Sequence, residues 1–70
     1  MNNKLIEKLH NDLEKLETRY NNLWDLDNYE RERKVQDQEY LGYLRKTRIE
    51  VLNKISYIKE LLEVANEEAH

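Results

Sequence analysis

A heptad register laid from Ile6 to Ala69 runs without a skip and meets apolar residues at fourteen of its nineteen core positions. One core series reads Ile6, Leu13, Tyr20, Asp27, Lys34, Leu41, Arg48, Ile55, Leu62 and Ala69; the other reads Leu9, Leu16, Leu23, Glu30, Asp37, Leu44, Val51, Ile58 and Ala65. Residues three and four apart share one helix face, so the pattern predicts coiled-coil-like α-helices. Four of the five exceptions, Asp27, Glu30, Lys34 and Asp37, cluster in mid-chain. Two apolar ends therefore flank a charged centre.

Asn2 or Asn3 supplies a short polar side chain to cap a first helix, expected over residues 4–24. The best internal boundary is residues 25–28, where Asp27 followed three positions later by Glu30 resembles a capping box for a second helix over residues 28–65. Gly42 is the only later breaker, and an isolated helical glycine reads as a kink or a close-packing point. Glu67 and Glu68 oppose the dipole at the second helix's end, which predicts fraying there.

A hairpin turning at residues 25–28 matches poorly. It would set Leu23 against Glu30, Tyr20 against Lys34 and Leu16 against Asp37, and leave the apolar stretch 51–65 without a local mate. Antiparallel pairing of residues whose numbers sum to about 71 matches far better. It joins Leu16 to Ile55, Leu13 to Ile58, Leu9 to Leu62 and Tyr20 to Val51, and opposes Lys34 to Asp37. One chain could make this pairing by turning near residues 34–37, but that segment holds no Gly, Pro, Asn or Ser. The expectation is thus one small all-α domain spanning residues 1–70, a long helical hairpin assembling as a homodimeric bundle. Its seam would be Leu9, Leu13, Leu16, Tyr20, Val51, Ile55, Ile58 and Leu62.

Composition supports helices and narrows the setting. Average usage would give about five glycines and about three to four prolines, against one and none here. Seventy residues bury too little surface for one core to supply much stability, which favours a partner. No cysteine is present and no apolar run nears the roughly 20 residues that span a bilayer, so a cytoplasmic setting is expected. Helix 49–65 is flanked by acids rather than lysines, which argues against a membrane surface. Asn, Lys, Ile and Tyr outnumber Gly, Ala, Pro and Arg by 24 to 8, the mark of an AT-rich genome such as a low-GC bacterium or its phage. Residues 1–30 carry four basic and seven acidic groups, residues 31–48 six and three, and residues 49–70 two and five. A basic centre lies between acidic ends.

Catalytic chemistry has little to work with. Thr18, Thr47 and Ser56 fall in mid-helix, and neither His10 nor His70 neighbours a glycine-rich turn or strand end. Glu7 with His10 and Glu67 with His70 have the Glu-x-x-His spacing of di-iron bundles, but such sites need ligands that project inward, and Glu7 and His10 flank the Leu9 stripe on its solvated side. No enzyme activity, metal or cofactor is expected. The centre is more informative, because it joins amphipathic aromatics to basic side chains, the residue types enriched where proteins meet. Trp24, Tyr29, Arg31, Arg33, Lys34, Tyr40, Tyr43, Arg45 and Arg48 are the candidate partner-binding residues. The reading is a small regulator or inhibitor acting on another protein. Two others stand beside it: a nucleic-acid-binding dimer whose Arg31, Lys34, Arg45 and Arg48 stripe contacts phosphate, and a purely structural oligomerisation module.

Overall fold

The computed structural model describes residues 3–68 as two α-helices, α1 (Asn3–Arg31) and α2 (Gln38–Glu68), packed antiparallel in a hairpin 55 Å long. The long helical hairpin expected from the register is the observed fold, but its turn lies later than the expected boundary. Residues 25–28 are continuous helix, since no proline there removes a backbone donor and no residue there takes a positive φ. Asp27 does not cap a helix. Its side chain is buried, accepting a hydrogen bond from Arg31 Nε at 2.7 Å and another from Arg48 NH1 at 3.0 Å. The Asn2 cap and His70 lie outside the described residues.

The chain reverses through residues 32–37 without Gly, Pro, Asn or Ser and, among the described residues, without any positive φ. Long polar side chains build the turn instead. The buried Glu30 carboxylate accepts from Arg33 NH1 at 3.0 and 3.1 Å, and from the Asp37 backbone N–H at 3.0 Å. Gln36 Nε2 donates to the Arg31 carbonyl at 2.7 Å, which satisfies one of the carbonyls a helix end leaves open. Glu32 N–H to Tyr29 O and Arg33 N–H to Glu30 O tighten the last turn of α1 into i→i+3 bonds. Asp37 then caps α2, its Oδ1 accepting from the Tyr40 N–H at 3.1 Å.

Moving the turn to 32–37 lets one chain pair its own apolar ends. Leu23, Leu44, Val51 and Ile55 form the buried cluster, with Leu13, Leu16 and Tyr20 packed against it, and Leu9 and Leu62 are buried farther along. Ile58 is half-buried. The seam assigned to a dimer is therefore the hairpin's own core, closed within a single chain. Two helices cover only one stripe of each other, and the accessible surface shows it: 5838 Å², against about 4,700 Å² for a compact monomer of this mass. No helix among the described residues is long and apolar enough to cross a membrane.

Candidate functional site

One buried ion pair organises the middle of the hairpin. Asp27 on α1 and Arg48 on α2 stand 21 residues apart in sequence, and their side chains are 1% and 9% exposed. Burial alone would raise the Asp27 carboxyl, but hydrogen bonds from Arg31 and Arg48, reinforced by their charges, hold it below its ordinary value. Arg48, fixed at one end by Asp27, lies over the Trp24 ring with its guanidinium carbon 3.9 Å from the centroid. Glu30 acts similarly at the turn, where its hydrogen bond and charge push the Arg33 guanidinium up.

Beside this pair opens a cleft of about 330 Å³, lined by Tyr20, Trp24, Arg45, Arg48, Ile49 and Leu52. A second hollow of about 200 Å³ adjoins it, sharing Arg45 and lined further by Arg31, Gln38, Leu41 and Gly42. Trp24, Ile49 and Leu52 are 40%, 52% and 45% exposed, so the cleft presents apolar surface to solvent. Three arginines and no carboxylate line the two hollows. Arg31 and Arg48 are engaged by Asp27, whereas Arg45 has no ion pair among the described residues.

The nine expected partner-binding residues separate into three groups. Trp24, Arg45 and Arg48 share the cleft and Arg31 lines the adjoining hollow. Arg33 and Lys34 lie in the turn, Arg33 paired with Glu30 and Lys34 exposed. Tyr40 and Tyr43 stack on each other, centroids 6.5 Å apart and planes 16° apart, and are exposed together with Tyr29. Arg48 departs from expectation most. It belongs to the buried pair rather than to a surface stripe, because the apolar seam on either side leaves Asp27 no solvent and Arg48 is the cation that reaches it from α2.

Ile49, Leu52 and Gly42 were missed as site residues, although a signal for them existed. With the Ile6 series called position a and the Leu9 series d, Trp24, Arg31, Gln38, Arg45 and Leu52 all occupy position e, and Gly42 and Ile49 occupy b. Antiparallel helices bring their e flanks to the same side, so this off-core series marks one face of the hairpin. Tyr40 at g and Tyr43 at c fall on the other flank. Among the described residues no group of side chains is arranged to hold a metal ion, and Glu7 and His10 are both exposed. No protein-family model matches this chain, and no curated protein or solved structure matches it significantly.

Proposed function

We propose that this chain is a non-catalytic protein-binding hairpin, a small regulator or inhibitor that seats an acidic amphipathic segment of another protein on the face carrying Trp24, Arg45, Ile49 and Leu52. The cleft of about 330 Å³ carries this reading: it joins a half-exposed tryptophan and two exposed aliphatics to an arginine without an internal partner. Aromatic and arginine anchors in a pocket dominate the affinity of protein interfaces, and a lining whose charged groups are all cationic, Arg45 among them without an ion pair among the described residues, selects a carboxylate-bearing occupant. Gly42 adds support. A glycine within a helix costs about 1 kcal/mol relative to alanine, yet a Cβ at Gly42 would meet nothing within 4 Å. The hairpin itself gains nothing from the missing methyl, whereas a partner lying close over the second hollow does.

Nucleic acid is the weaker occupant. Two of the four stripe cations are engaged by Asp27, and Tyr40 and Tyr43 lie on the flank away from the arginines, where they cannot stack on bases held there. The test is affinity capture from the native host with the tagged wild-type chain beside Arg45→Glu and Trp24→Ala. One stoichiometric protein held by wild type and lost with both variants is the expected result. Recovery that nuclease abolishes would overturn it.

A further inference from the structure

A hairpin imposes no phase relation between its two helices, yet the heptads of α1 and α2 are in phase through the turn. Leu44 follows Leu23 by three whole heptads, and Glu30, Lys34, Asp37 and Leu41 continue the count between them. Only about one phase in seven would do so by chance. Residues 32–37 are Glu, Arg, Lys, Val, Gln and Asp, which a helix accepts, and no residue of the turn has a positive φ. Val35 at the tip is 81% exposed and packs on nothing that would hold the reversal. What holds it is chiefly Glu30, through Arg33 and the Asp37 N–H. The same Glu30 placed in a continuous helix would face Lys34 one turn on, a favourable i, i+4 pair.

We infer that two copies of this chain exchange α2, straightening residues 32–37 into helix to form an antiparallel dimer of two continuous helices. The partner is a second copy because the register is its own complement. Pairing that sums to about 71 has a two-fold axis between residues 35 and 36, so every contact between α1 and α2 is remade between chains, the Asp27 to Arg48 pair included. The exchange also gives Lys34 and Asp37 something to face: each meets the other across the axis, twice, with opposite charge. Each cleft is then built from both chains, Trp24 from one and Arg45, Ile49 and Leu52 from the other. Two clefts stand about 40 Å apart along the dimer at 1.5 Å per residue, so concentration converts a single binding site into a bivalent one. The assembly rests on the register and the turn, independently of what the cleft binds.

Co-refolding tests it. A Leu16→Cys chain and an Ile55→Cys chain, whose positions belong to one packed cluster, are mixed in denaturant, refolded at millimolar concentration and oxidised, and each is also folded alone before mixing. The expected product is a disulfide-linked heterodimer from the co-refolded sample only. Solution scattering of the refolded wild-type dimer should give a maximum dimension of about 100 Å, the length of 66 helical residues, against 55 Å for the hairpin. Glu30→Ala removes the turn's main acceptor from two turns at once and should raise the dimerisation constant by about a hundredfold. Absence of the heterodimer crosslink, a dimer no longer than the hairpin, or a Glu30→Ala chain that stays monomeric would each overturn the exchange.

Discussion

Arg48 NH1 meets Asp27 Oδ1 at 3.0 Å across the two helices, and this is the only ion pair between α1 and α2 among the described residues. Its burial makes the middle of the hairpin specific, because Asp27 finds its cation in only one alignment of the helices. Removing one member leaves a buried charge without its partner, which costs about 3–5 kcal/mol. A chain of this size has little more than that in total. Asp27→Ala should therefore unfold largely at room temperature, whereas Asp27→Leu combined with Arg48→Met should fold with near wild-type stability. Urea titration followed by circular dichroism checks both, and a well-folded Asp27→Ala would show that the pair is not holding the register.

The acid limb of stability should carry the Asp27 signature. Its folded carboxyl titrates below the ordinary value of 3.8, so the native state binds fewer protons than the unfolded one in that interval. The contribution is complete at neutral pH and is lost as pH falls from about 3.8 through the lower folded value. The stability gap between wild type and Asp27→Asn should stay constant from neutral pH down to mildly acidic solution and narrow below it. A gap that widens on acidification would reverse the sign and refute the assignment.

Gly42 lies in the first two turns of α2 with open space where a side chain would stand. Gly42→Ala should stabilise the hairpin by about 0.5–1 kcal/mol, raising Tm by about 4–8 °C per kcal/mol for a domain of this size. The same change narrows the hollow shared with Arg45 and should weaken partner capture while the fold strengthens. Thermal melts and capture on one preparation separate the two effects, and a gain in both would remove Gly42 from the binding face.

Arg45 is exposed and makes no ion pair among the described residues, so Arg45→Glu should change stability by no more than about 0.5 kcal/mol. Its effect belongs to binding, where it replaces an attractive charge by a repulsive one. Trp24, the sole tryptophan, lines the same cleft and reports on it directly. Its emission should shift to the blue when a captured partner covers the ring, and the shift should vanish with Arg45→Glu. An unchanged spectrum in the wild-type complex would place the partner elsewhere.

Periodicity alone determined that the chain is helical, which residues form its apolar stripe, and that residue numbers summing to about 71 belong together, because the burial of leucine, isoleucine and valine depends only on which face they share. It could not determine whether that pairing closes within one chain that turns near residues 34–37 or between two chains. The structure closes it within one chain, where Glu30, Gln36 and Asp37, residues at and beside the turn, satisfy the backbone groups of the reversal. The same holds for the charged heptad positions. Read in line, Asp27 and Arg48 interrupt the seam; in three dimensions they complete it, since a carboxylate and a guanidinium far apart in sequence neutralise each other in the interior. Of the expected recognition residues, Trp24, Arg31 and Arg45 lie together on one flank and the tyrosines on the other, a separation the heptad positions carry, whereas the hollows on the first flank exist only once the two helices pack.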